Sequence, residues 1–116
     1  MNLFDEAHDG VLVVRVQDTR IDASRAPGFK GEITRRVEAG QTKLVLDLTL
    51  VEFIDSVGLG ALVSCFKRVG SRGKLVIVGA KGAVSRLFSL TRMDRVFPLA
   101  PTVEEAVSQA SGVSQQ

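Results

Sequence analysis

Short apolar runs alternate with longer stretches in which apolar residues return every third or fourth position, and this alternation predicts an α/β domain. Residues 3–7 and Val11-Leu12-Val13-Val14-Arg15-Val16 read as two strands. His8-Asp9-Gly10 between them supplies turn chemistry, since Asp and Gly tolerate the positive φ of a tight hairpin. Residues 17–24 read as a polar loop containing Ile21-Asp22-Ala23. A helix is then expected from Ser24, which can cap it, with Pro27 in its first turn. Phe29, Ile33 and Val37 recur every fourth residue, and Gly40 marks the stop.

Leu44-Val45-Leu46-Asp47-Leu48 is apolar apart from Asp47, the pattern of a central strand covered on both faces. Val51-Glu52-Phe53-Ile54 leads to a turn, after which Leu59, Leu62, Val63, Phe66 and Val69 give an i, i+3, i+4, i+7 stripe. A second buried strand is expected over residues 74–78, completing a right-handed βαβ crossover. Val84, Leu87 and Phe88 mark a short helix, and residues 93–98 a brief extended piece. Thr102 with Glu105 forms a capping box for a last helix carrying Val103, Ala106, Val107 and Ala110. Nothing along the chain divides it, so one domain is expected over residues 1–110, with residues 111–116 as a flexible tail.

Composition narrows the chemistry. With 116 residues, 45% of them hydrophobic and 24% charged, the chain can build a modest core. A formal net charge of +2 forms no basic stripe, and Trp and Tyr are absent, which argues against direct nucleic-acid binding. Cys65 is the single cysteine and lies on an apolar helix face, which excludes an internal disulfide and paired-cysteine metal sites. His8 is the single histidine and reads as a surface turn residue, so neither a catalytic triad nor a multi-histidine metal site is expected. The N-terminal residues lack the basic flank and apolar run of a secretory signal, and no run is long enough to span a bilayer. The expectation is a cytoplasmic protein with no cofactor, no metal and no membrane insertion.

The chemistry concentrates at Asp55-Ser56-Val57-Gly58-Leu59-Gly60, between a strand and a helix. Backbone N–H groups lack partners at a helix start, and negative charge is favoured there. Taken alone, these residues leave two readings of Ser56 open: an N-cap, or an exposed hydroxyl that a kinase phosphorylates. Asp22 has two readings as well. It is a turn residue or helix-entry cap, or a carboxylate brought beside Ser56 where strand ends gather. Gly70-Ser71-Arg72-Gly73-Lys74 resembles the tail of a phosphate-binding loop. It fails as one: Arg68 replaces the first glycine, Leu75 replaces the hydroxyl residue, and a strand follows instead of a helix. Asp47 and Glu52 make no acid–base pair, and no constellation supports an enzyme.

Leu44 to Leu48, continuing through Phe53-Ile54-Asp55-Ser56-Val57-Gly58-Leu59-Gly60, resembles the phosphorylation-site signature of the STAS domains of bacterial anti-sigma factor antagonists. The resemblance extends through Gly73 to Gly79, Arg86 to Thr91 and Met93 to Pro98. It implies a single STAS-like α/β domain with a mixed β-sheet of about four to five strands packed with about four helices. It further implies a binding module that, with Ser56 unphosphorylated, engages an anti-sigma factor that is also a serine protein kinase and so frees a sigma factor. The kinase ends the interaction by phosphorylating Ser56, and a PP2C-type serine phosphatase resets it. The implied partner-binding residues are Asp22, Asp55, Ser56, Val57, Gly58 and Leu59. Two departures stand out: Val57 replaces a second hydroxyl residue, and Thr19-Arg20-Ile21-Asp22 differs from the usual Gly-Glu-Leu-Asp. Alternatives are an unphosphorylated STAS scaffold subunit of a lipid-transport ABC system, or a phospho-switch acting on another regulatory enzyme.

Overall fold

Strands β1 (Leu3–His8) and β2 (Val11–Val16) pair antiparallel, with Leu3 opposite Val16 and His8 opposite Val11. Asp9 and Gly10 join them with φ of 51° and 79°, the left-handed conformations that a two-residue hairpin requires. His8 therefore closes a strand, and its imidazole lies 3.3 Å from Glu6. The structure, a computed structural model, describes residues 1–112.

The main sheet has the order β1-β2-β4-β6-β7, with β4 at Lys43–Asp47, β6 at Lys74–Val78 and β7 at Leu99–Ala100. All neighbours after the hairpin are parallel. Side chains alternate across each strand, so neighbouring residues serve two different cores. Leu44 and Leu46 pack with Phe29 and Ile33 of α1 (Ala26–Glu38) and Leu62 and Cys65 of α2 (Ser56–Val69). Val84 and Phe88 of α3 (Gly82–Leu90) join the same core. Val45, with Val13, Val76 and Val78, faces Ala106, Val107 and Ala110 of α4 (Val103–Ser111) on the other side. Double coverage explains why β4 and β6 read as unbroken apolar runs rather than alternating ones.

The termini of the elements differ from expectation where local signals are weak. α1 begins at Ala26, with Arg25 at the N-cap and no side-chain cap. Ser24 is not the cap: its hydroxyl donates to Asp22 at 2.8 Å. The loop over residues 17–24 holds a short strand, β3 (Arg20–Ile21), which pairs in parallel with β5 (Phe53–Ile54) as a separate two-stranded sheet. Residues 93–98 are not extended. Met93–Arg95 form a 3-10 turn entered through Arg92 at φ 62°, and the strand begins only at Leu99. Phe97 anchors this segment, buried edge-on against Phe88 at 5.4 Å and Phe66 at 5.8 Å. α4 runs through Ser111 and closes at Gly112, with φ of 75°, and residues 113–116 lie outside the described residues.

Candidate functional site

The two-stranded β3–β5 sheet assembles the site. Arg20 pairs with Phe53 and Ile21 with Ile54, so the chain leaves both strands in step, at Asp22 and at Asp55. Ile21 and Ile54 are buried and fix this layer to the core. The Asp55 N–H donates to the Ile21 carbonyl at 3.3 Å, extending the ladder by one bond.

Asp55 is the N-cap of α2. Its Oδ1 accepts from the Gly58 N–H at 2.8 Å, and its Oδ2 accepts from the Ala23 N–H at 2.9 Å. One carboxylate thus satisfies an orphan donor of α2 and ties the β3–α1 loop to the helix start. Gly58 completes the fit. A Cβ there would overlap the Ile21 carbonyl oxygen, so only glycine lets α2 approach β3 this closely.

The N-cap reading of Ser56 is overturned, because Asp55 takes that position. Ser56 is the first residue of α2, is exposed, and its hydroxyl has no hydrogen-bond partner among the described residues. The first turn of α2 holds no acidic residue, so the partial positive charge of its N-terminus is met only by Asp55. Val57 beside it is 50% exposed, Gly58 is buried and Leu59 half-buried. The six expected partner-site residues are therefore not equivalent. Ser56 and Val57 face outward, whereas Gly58 acts through its backbone.

Asp22 closes the other side. Its Oδ1 accepts from the Ser24 hydroxyl at 2.8 Å and from the Arg25 N–H at 3.2 Å, and its Oδ2 accepts from the Arg25 guanidinium at 3.0 Å. The Asp22 carbonyl also receives the Ala26 N–H at 2.8 Å. Asp22 is thus the helix-entry residue of α1, and the parallel register sets it alongside Asp55. Hydrogen bonding from Ser24, then from Arg25, together with the Arg25 charge, outweighs partial desolvation and holds the Asp22 carboxyl at about 2, below its ordinary 3.8.

Arg20 and Phe53, which the sequence reading did not single out, lie in the same layer. The guanidinium carbon sits 4.3 Å from the Phe53 ring centroid. Two-residue strands carry no periodicity, and the only signal for this pair was Ile21 in one segment and Val51, Phe53 and Ile54 in the other. An open groove of ≈ 470 Å³ runs beside Val57 between α1 and α2, lined by Pro27, Lys30, Gly60 and Ser64 among others. Cys65 is fully buried, and its thiol is pushed up to about 12 by burial, as expected of an inert core thiol. Lys74 opens strand β6 behind Gly73, consistent with rejecting a phosphate-binding loop there. No cluster of three or more His, Cys, Asp or Glu suited to a metal occurs among the described residues, and none of their helices is long and apolar enough to cross a membrane.

The STAS domain family model matches residues 5–106, from within β1 through the capped turn to the first turn of α4. The chain belongs to the STAS domain family. Its mixed five-stranded sheet with four helices is the STAS fold. Among curated relatives, the chain is 31% identical over 105 residues to the anti-sigma-F factor antagonist RsfB of Mycobacterium tuberculosis, covering 90% of this chain and 85% of that protein. A crystal structure of an anti-sigma factor antagonist from Mycobacterium paratuberculosis superposes with a TM-score of 0.84 at 36% identity, covering 94% of this chain and 92% of that one. The phosphorylated form of the Bacillus cell fate determinant SpoIIAA shares the fold, with a TM-score of 0.69 at 17% identity over 93% and 98% of the two chains.

Proposed function

We propose that this STAS domain is an anti-sigma factor antagonist whose partner binding is switched by phosphorylation of Ser56. The observation that carries the reading is the unengaged, exposed Ser56 hydroxyl at the start of a helix already capped by Asp55. The names of relatives such as RsfB supply the biological setting. In this reading the chain is a binding module and not an enzyme, and it acts in the cytoplasm. It binds an anti-sigma factor that is also a serine protein kinase, and a sigma factor is freed as a result. Asp22, Asp55, Ser56, Val57, Gly58 and Leu59 form or support the contact surface.

Phosphorylation forms a bond between the Ser56 Oγ and the γ-phosphorus of kinase-bound ATP. ADP leaves and the hydroxyl proton is released. The product adds about −1.5 to −2 charges at neutral pH. The fold tolerates this, because no hydrogen bond is lost and the helix N-terminus favours an anion. The interface does not tolerate it, since the phosphate stands next to the Asp55 carboxylate on a surface the partner must desolvate. An unpaired charge buried at an interface costs about 2–5 kcal/mol, which is about 30-fold to several-thousand-fold in affinity. A switch of that size needs no refolding. A PP2C-type phosphatase would hydrolyse the ester and restore the hydroxyl.

The test is binding of the purified kinase to unphosphorylated and Ser56-phosphorylated protein by calorimetry. The expected outcome is an affinity loss of at least about 30-fold on phosphorylation. Equal affinity of the two forms, or co-purification with a transporter ATPase with Ser56 unmodified in cells, contradicts the reading.

A further inference from the structure

We propose that Arg20 and Phe53 form a partner-reading element beside Ser56, in which a stacked guanidinium receives a carboxylate set in an apolar surface of the docking protein. The inference rests on the reading of the Ser56 surface as the docking face, and it adds two residues and a partner chemistry to it.

The geometry follows from the strand pairing. Arg20 and Phe53 are register partners on β3 and β5, the two strands that deliver Asp22 and Asp55 to the site. Their neighbours Ile21 and Ile54 are buried, so strand alternation turns Arg20 and Phe53 outward. The Arg20 side chain is 51% exposed and Phe53 38% exposed. With its guanidinium carbon 4.3 Å from the ring centroid, the Arg20 head group is held against the aromatic rather than left to sample solvent.

Asp22 only partly neutralises this cation. Its carboxylate is engaged by Arg25 at 3.0 Å and Ser24 at 2.8 Å, whereas the Arg20 Nε reaches it only at 3.5 Å. The remaining Arg20 N–H donors have no partner among the described residues. The fork is therefore fixed at one edge and open for a bidentate carboxylate. Val57, in the first turn of α2 that follows β5, is 50% exposed and adds apolar surface near the end of the same strand. Arginine and aromatic side chains dominate the energetics of protein interfaces when they are desolvated together. A cation stacked on an aromatic ring selects a complementary carboxylate and rejects a partner that presents Lys or Arg there.

The experiment uses the full chain with Ser56 unphosphorylated, titrated with the purified anti-sigma factor kinases of the organism that encodes it. Arg20→Glu is expected to weaken binding at least about 30-fold, the scale of an interface hot spot. Arg20→Met still covers the ring but lacks the charge, and Phe53→Ala keeps the charge but lacks its platform; each is expected to lose about tenfold, with Arg20→Lys losing less than Arg20→Met. Exchange of the matching kinase carboxylate for lysine should recover the affinity lost in Arg20→Glu. Amide spectra of Arg20→Met that match the parent away from β3 and β5 show that the fold is kept. Full affinity in Arg20→Met overturns the proposal, because the stack then only covers the ring. Near-parental affinity of Arg20→Glu, with Ser56 phosphorylation still abolishing binding, overturns it while leaving the switch intact. Loss in Arg20→Glu with no effect of phosphorylation supports the element and contradicts the Ser56 reading instead. Binding of a single-stranded oligonucleotide that the same variants abolish would also overturn the carboxylate assignment.

Discussion

Two helix starts in this STAS domain use hydroxyl residues in opposite ways. At α4, Thr102 is the cap: its Oγ1 accepts from the Glu105 N–H at 3.1 Å, and Glu104 and Glu105 supply negative charge in the first turn. At α2, Asp55 is the cap, the hydroxyl is one residue further on, and the first turn has no acidic residue. The first arrangement is closed. Its hydroxyl is engaged and its helix dipole compensated. The second leaves a hydroxyl unengaged at a helix end that still favours an added anion. A hydroxyl that is itself the cap is engaged here, and one that follows an acidic cap is left without a hydrogen-bond partner among the described residues.

Removing each cap should break this contrast by different amounts. Asp55→Ala is expected to have the largest effect, about 2–4 kcal/mol, because one side chain holds both the Gly58 and the Ala23 N–H. Urea unfolding measures it, and a loss no larger than that of an ordinary cap would mean the tether to Ala23 contributes nothing. Thr102→Ala should lose about 1 kcal/mol in the same assay, the value for a single cap bond.

Acid should expose a smaller contribution from Asp22, discounted because its ion pairs reach solvent. Its carboxyl is lowered from 3.8 to about 2 in the fold, so its stabilisation is fully present above 3.8 and is lost as pH falls through about 2. NMR titration of Asp22 should show its midpoint near the lower value and an upward move in Ser24→Ala. A midpoint near 4 would contradict the Ser24–Asp22–Arg25 cluster. Ser56→Ala should change stability least, within about 0.5 kcal/mol. A loss matching that of Thr102→Ala would erase the contrast and return Ser56 to a capping role.

Much of the fold was legible because strong local signals agreed with the final packing. Asp9-Gly10 specified the hairpin, the Leu59-to-Val69 stripe specified α2, and Thr102 specified the start of α4. β3 and β5 were not legible as a pair, since two residues carry no period and their partnership spans more than thirty positions. That pairing nonetheless sets Asp22 next to Asp55 and exposes Arg20 and Phe53 together. Residues 93–98 misled for a related reason. Their β-prone Val96 and Phe97 follow a 3-10 turn and are held out of a strand by the packing of Phe97 against Phe66 and Phe88, which is a tertiary contact. At the site, the Asp-Ser-x-Gly spacing marked the turn that opens α2. It left the N-cap reading of Ser56 open, because Ser is a good N-cap and the better-placed Asp55 before it was not weighed as one.

The most direct test of the central claim is phosphate mapping by mass spectrometry after incubation with the cognate kinase and ATP, on the parent chain and on Ser56→Ala. One phosphate, located on Ser56 and absent from the variant, is the predicted result. A phosphate on Thr19, Ser24 or Ser64 of the parent, or undiminished uptake by Ser56→Ala, would contradict it.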